Sequence, residues 1–306
     1  MGPVPKGPRR LTQKDLEDRG QIRLLDLPKA PPARPKFHWL QQSIWTNNKA
    51  LLIKRYLYYF VNVTHHGSYI DGFAGPQKLE TNWAAKLVLE SEPRWLRHFF
   101  LCELRAGSFA KLRNLCDQQP IIGKGKSART IEPRQGDFNE LVYEILKSPY
   151  LTEKEATFCL LDQRTFECHW STVEALARHK KVGNKIELFY FLACAWFARA
   201  MSRKAHAKLE LWWGNSGWQA LRGLSDIDRA QAICDRMVRE LGYKSAQPFP
   251  IYRRRGAGRV MYYMIHATDY PIAPALMVKA YNRAVTPLES PKQIEMFIEE
   301  AKQAAK

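Results

Sequence analysis

The chain has no apolar run of the roughly 20 residues that a membrane-spanning helix needs, and its N-terminus carries no apolar signal-peptide core. A bilayer-embedded or secreted protein is therefore not expected, and a cytoplasmic one is. It has no Cys-x-x-Cys pair: its six cysteines (Cys102, Cys116, Cys159, Cys168, Cys194, Cys234) are scattered, several of them inside apolar runs such as HFFLCEL and ATFCLL. That pattern fits small buried hydrophobes in a reducing compartment, not a disulfide framework or a zinc ribbon. No His-x-x-x-His or Cys-His spacing suggests a metal site, and no Gly-x-Ser-x-Gly elbow suggests a serine hydrolase. Solenoid-length repeats are missing as well. Acidic residues are in short supply, with 30 Asp and Glu against 48 Lys and Arg, for a formal charge of +18. Such a surplus favours polyanions, and nucleic acid above all.

What is present reads as a folded chain. Its 306 residues, 45% hydrophobic and 25% charged, suit one large α/β core with an inserted subdomain. Residues 1–35 hold seven prolines and many charges and end in PKAPPARP, so they predict a flexible basic, proline-rich arm. The main domain is expected over 36–285. It opens on a helix in which Leu51, Leu52, Arg55, Tyr56, Tyr59 and Phe60 recur at helical spacing. Short apolar runs then alternate with helical segments: GSYIDGF, NWAAKLVLE, RHFFLCEL, AGSFAKLRNLC, ARTIEPRQGDF, NELVYEILK, ATFCLLD, WSTVEALARHK and KIELFYFLA. Five strand candidates separated by helices predict a doubly wound parallel sheet with helices on both faces. A basic helical insertion is expected over about 195–247. The segment PFPIYRRRGAGRVMYYMIHATD then places Gly256 and Gly258 between alternating runs, a strong hairpin signal. A closing antiparallel hairpin on a parallel sheet is the signature of a Rossmann-like fold of the S-adenosylmethionine-dependent methyltransferase type. Residues 286–306 predict a helical tail.

Ligands of such sheets bind beyond the carboxyl ends of the strands, beside the switch point. YIDGFAGP ends a strand there, with Asp71 to face a nucleotide's ribose or ammonium group and Gly72 and Gly75 to allow close backbone approach. About 30 residues on, Glu103 closes the second strand, where a carboxylate can accept two ribose hydroxyls. Asp137, after Gly136, ends the third and is placed either for an adenine amino group or as a helix N-cap. Together, Asp71, Gly72, Gly75, Glu103 and Asp137 form the candidate cofactor set, for S-adenosylmethionine. Asp162 closes the fourth strand as the candidate catalytic residue, either positioning an acceptor or capping the next helix, with Arg164 as a candidate ion-pair partner. The following Gln163, Arg164 and Thr165 do not match the Pro-Pro-aromatic sequence of base N-methyltransferases. Candidate phosphate contacts are Arg253, Arg254, Arg255 and Arg259 in the hairpin turn and Arg199, Arg203, Lys204 and Lys208 in the insertion. Trp212, Trp213 and Trp218 suit either base stacking or core packing.

Trp45, Thr46 and Lys49 in a W-T-x-x-K pattern, the tyrosine-rich helix behind them, YIDGFAGP, the Asp162 strand followed by Trp170, and YYMIHATDYPIA together resemble the three-Cys-motif partner protein family over about residues 37 to 283. The resemblance implies a methyltransferase-like domain and, as partner, a radical-S-adenosylmethionine-like protein that carries the three cysteines. Many relatives carry Asp-Pro-aromatic-Gly where this chain has Asp162-Gln163-Arg164-Thr165. The function expected is methyl transfer on or with nucleic acid. The alternative is a non-catalytic nucleic-acid and protein-binding partner.

Overall fold

The computed structural model describes residues 40, 43–124, 128–202, 206–253 and 259–304. The chain divides into two units, 1–36 and 37–306; the expected proline-rich arm lies outside the described residues. Helix α1 (Lys49–Thr64) follows a two-residue strand β1 (Ile44–Trp45) and a single 3-10 turn. It buries Leu52, Ile53, Tyr56, Leu57, Tyr59 and Phe60 and stops at His65, whose φ of 58° lets its N–H return to the Val61 carbonyl. Beyond it come β2 (Gly67–Asp71), α2 (Ala84–Leu89), β3 (Leu96–Glu103), α3 (Ala106–Asp117), β4 (Thr130–Gln135), α4 (Phe138–Ile145), β5 (Thr157–Leu161), α5 (Trp170–Arg178) and β6 (Glu187–Ala193). The helical segment holds α6 (Cys194–Ser202), α7 (His206–Trp213) and α8 (Asp226–Arg239), before β7 (Ser245–Tyr252), β8 (Val260–Thr268), α9 (Ala273–Arg283) and α10 (Pro291–Ala304).

The strands form one sheet in the order β1-β7-β8-β6-β5-β2-β3-β4. All pairings are parallel except those of β8, which runs antiparallel to both β6 and β7. The fold is thus Rossmann-like, of the methyltransferase type, with the antiparallel hairpin inserted beside the last central parallel strand. Both faces are covered, which is why the central strands read as unbroken apolar runs. On one face Tyr69, Phe99, Leu101, Phe158, Leu160, Phe189 and Phe191 pack with α1, α2, α3, α9 and α10. On the other, Ile70, Phe100, Cys102, Cys159, Leu161 and Tyr190 pack with α4 to α8. All six cysteines are buried and free, and burial pushes their thiols up, Cys116 and Cys194 to about 12.

The helical segment is a packed layer of the core. Trp212, Trp213 and Trp218 are buried there, the core alternative and not the base-stacking one. The strand after it begins at Ser245, two residues inside the expected limit. Among the described residues no helix is long and apolar enough to cross a membrane.

Candidate functional site

The chain goes from β2 to β3 and β4 on one side and returns to β5 on the other, so the switch point lies between β2 and β5. Asp71, the last residue of β2, faces it. The residue is 1% exposed, and its carboxylate accepts the Phe73 N–H at 3.0 Å and the Tyr69 hydroxyl at 3.1 Å. Burial pushes Asp71 up to about 7, helped by the charge of Asp162 and opposed by the Phe73 N–H, the Tyr69 hydroxyl and Lys49. The outcome is an acid poised near neutrality in a desolvated place, a property that clusters at functional sites.

The two glycines after it serve neighbouring side chains. A Cβ at Gly72 would lie 2.6 Å from the Phe138 ring at the start of α4, and one at Gly75 would lie 1.9 Å from Glu103 Oε2. Only glycine lets the Glu103 carboxylate rest on this backbone. Glu103 Oε1 also accepts the Arg105 N–H at 2.8 Å, and the turn is pinned where Ala74 donates to the Cys102 carbonyl and Trp83 Nε1 to the Ala74 carbonyl. Asp71, Gly75 and Glu103 therefore form one assembly across β2 and β3. Asp137 is the N-cap of α4 and accepts from the Asn139 N–H at 2.9 Å and from its side-chain amide at 2.8 Å.

Asp162 follows β5 directly, and two expectations about it are corrected. Its ion-pair partner is Lys49, at 2.7 Å, and not Arg164, which is exposed and donates its N–H to Glu167. Nor does Asp162 cap the next helix: α5 starts eight residues later, with His169 at the N-cap position. The loop between is stapled from within by buried Gln163, whose amide donates to the Phe191 carbonyl and whose oxygen accepts from the Glu167 and Cys168 N–H groups. The glutamine that departs from the Pro-Pro-aromatic pattern thus carries the loop's internal hydrogen bonding.

Lys49 was missing from the candidate site residues. Its ammonium lies 4.9 Å from the Phe191 ring centroid and 5.4 Å from that of Tyr262, within cation–π range. The segment carrying it is anchored by β1, which pairs with Ile251 and Tyr252, and by Thr46, whose hydroxyl donates to the Tyr252 carbonyl at 3.3 Å. One signal was legible, because a lysine opening a helix opposes the dipole, and residues that break a local rule gather at functional sites.

The end of β7 and the start of β8 lie at this same carboxyl edge, since Ala193 at the end of β6 is paired with Tyr262 near the start of β8. Arg253 and Arg259 are exposed there, and the Arg253 N–H closes the turn onto the Arg259 carbonyl. Arg254 and Arg255 lie outside the described residues, as do Arg203 and Lys204. Lys208 reaches across to the Thr165 hydroxyl at 3.4 Å, and the exposed Arg199 sits 5.0 Å from the Trp196 ring. A separate cleft at the amino end of β3, lined by Tyr58, Glu92, Arg94 and Arg129 among others, is remote from these groups.

No family model matches the sequence, and no curated protein matches it. Two solved structures are similar to part of the chain. One is Trm1 from Pyrococcus horikoshii in complex with S-adenosyl-L-methionine, 12% identical with a TM-score of 0.42, the match covering 74% of this chain and 56% of that one. The other is protein LPL1258 from Legionella pneumophila str. Philadelphia 1, of family DUF519, 12% identical with a TM-score of 0.42 and covering 79% of this chain and 94% of that one. The present chain therefore spans little more than half the length of the Trm1 chain it resembles.

Proposed function

We propose that the protein is an S-adenosylmethionine-dependent, methyltransferase-like three-Cys-motif partner protein that acts on or with nucleic acid and associates with a radical-S-adenosylmethionine-like protein. One observation supports this above the others: Asp71, Glu103 and Asp162 gather at the switch-point edge of a methyltransferase-type sheet, and exposed Arg164, Lys208, Arg253 and Arg259 lie at that same edge. The donor set suits the cofactor. Glu103, seated on Gly75, offers acceptor oxygens to ribose hydroxyls, and buried Asp71, without a cation in hydrogen-bonding contact among the described residues, suits a positively charged group. Gly72 and Gly75 shape the turn between them, and Asp137 would contribute beside the α4 N-terminus. The cofactor would supply a methyl group already activated on sulfur, so the protein's task is placement. Asp162 would orient the acceptor. Arg199, Arg203, Lys204 and the arginines of the hairpin turn would track phosphates.

Calorimetric titration with S-adenosylmethionine and S-adenosylhomocysteine tests this reading. Saturable binding of either is expected, and no heat from both at millimolar ligand would remove the cofactor from the proposal. A second reading, a non-catalytic partner that presents nucleic acid to the radical protein, draws support from the stapled Gln163 loop and from the pairing of Asp162 with Lys49. Methyl transfer to a nucleic-acid pool separates the two, since only the first predicts labelled product.

A further inference from the structure

Lys49 and Asp162 are 14% and 11% exposed, and the ammonium lies over two aromatic rings. A pair this withdrawn from water is not a solvated surface contact, and removing one partner strands the other's charge. The β1–β7 pairing and the Thr46 hydroxyl hold the preceding turn in place, so the ammonium is delivered by fixed backbone. The second carboxylate at this edge, Asp71, is treated differently. Its hydrogen-bond donors are a backbone N–H and a phenol. The titratable groups facing it are Tyr69 of its own strand, Cys102 of β3 and Cys159 of β5, with Asp162 and Lys49 beyond the strand ends. Among the described residues the Lys49 ammonium acts on both Asp71 and Asp162, and it is committed by direct contact to Asp162.

Resting on the cofactor reading above, we infer that Lys49 is a positioning residue: by engaging Asp162 it leaves Asp71, and not Asp162, as the carboxylate offered to the positive group of a bound ligand. Burial and the neighbouring Asp162 hold Asp71 near neutrality, with Lys49 pulling the other way. A cation arriving beside Asp71 completes its ionisation. Without Lys49, Asp162 becomes a second free anion at the same edge. The ligand's positive group then meets Asp162 as well as Asp71.

The test uses the full chain as wild type, Lys49→Met and Lys49→Arg. Methionine keeps an unbranched stem over the two rings and loses the charge, whereas arginine keeps the charge. Carboxyl NMR follows the Asp71 titration without ligand, and calorimetry compares S-adenosylmethionine, which carries a sulfonium, with S-adenosylhomocysteine, which does not. In Lys49→Met the Asp71 midpoint should rise by about one pH unit, while Lys49→Arg stays at the wild-type value. The ratio of the two affinities should shift at least about threefold toward the sulfonium ligand in Lys49→Met, because the site has lost one positive charge. An unchanged Asp71 midpoint in a folded Lys49→Met protein overturns the inference, as does an equal loss of affinity for both ligands, the mark of a merely structural role. If wild type binds neither ligand, the cofactor reading fails, and the Asp71 titration still decides the part played by Lys49. Should Lys49→Met not fold, Lys49→Gln takes its place with the same expected outcomes.

Discussion

Asp71→Asn should make the protein more stable at alkaline pH, an unusual direction for removing a charged residue. The carboxyl rises from an ordinary 3.8 to about 7 because it is buried, with the charge of Asp162 nearby. That spans about three pH units, and at about 1.4 kcal/mol per unit ionised Asp71 lowers folding stability by about 4 kcal/mol. The sign follows from proton counting. Between about pH 4 and pH 7 the folded protein holds a proton that the unfolded chain has released, so the contribution is intact below about pH 4 and lost as pH rises through about 7. Asparagine keeps an oxygen for the Phe73 N–H and cannot ionise. Urea unfolding of both proteins from pH 4.5 to 8.5 isolates this residue, because every other titration is common to the two. The stability of Asp71→Asn relative to wild type should climb with a slope of about 1 kcal/mol per pH unit between pH 5 and 7 and level off above. Two parallel pH profiles would refute the reasoning, whatever their vertical offset, since an offset reports only packing and hydrogen bonds.

Glu103→Ala should weaken S-adenosylmethionine binding by about 1.5–3 kcal/mol, the scale for hydrogen bonds to a charged group, as read by calorimetry. Gly75→Ala should reproduce most of that loss with little change in melting temperature, because its Cβ meets only the mobile end of Glu103; in a Glu103→Ala background the same change should be nearly silent. Gly72→Ala should instead cost about 1–3 kcal/mol of stability, since its Cβ would strike the Phe138 ring, itself 2% exposed; a wild-type melt would contradict that packing. Replacing Arg253, Arg254, Arg255 and Arg259 by Gln should flatten the salt dependence of nucleic-acid binding, because counterion release scales with phosphate contacts; an unaltered slope would move the phosphate track to the helical segment. If the protein transfers methyl groups, Asp162→Asn should keep cofactor affinity and lower turnover, and a wild-type rate in the mutant would remove Asp162 from the chemistry.

Local sequence was enough for the centre of the sheet because the strands there are buried on both faces. Runs such as FFLC and TFCLL cannot be exposed on either side, and the helices between them are amphipathic. The closing hairpin was legible from alternation around a glycine-rich turn, and the positions of Asp71, Glu103 and Asp162 from their places at the ends of apolar runs. The two-residue strand β1 was not, since two residues carry no period; it exists because β7 offers an open edge. The end of α1 was also silent, as a histidine and not a glycine takes the left-handed cap. The glycines were legible as close approaches, but what approaches them is Phe138 and Glu103, a fact set by packing between strands. Lys49 lies 113 residues from Asp162 in sequence. No pattern of spacing pairs them; the pair forms only once β1 docks on β7 and carries the start of α1 over the carboxyl end of β5.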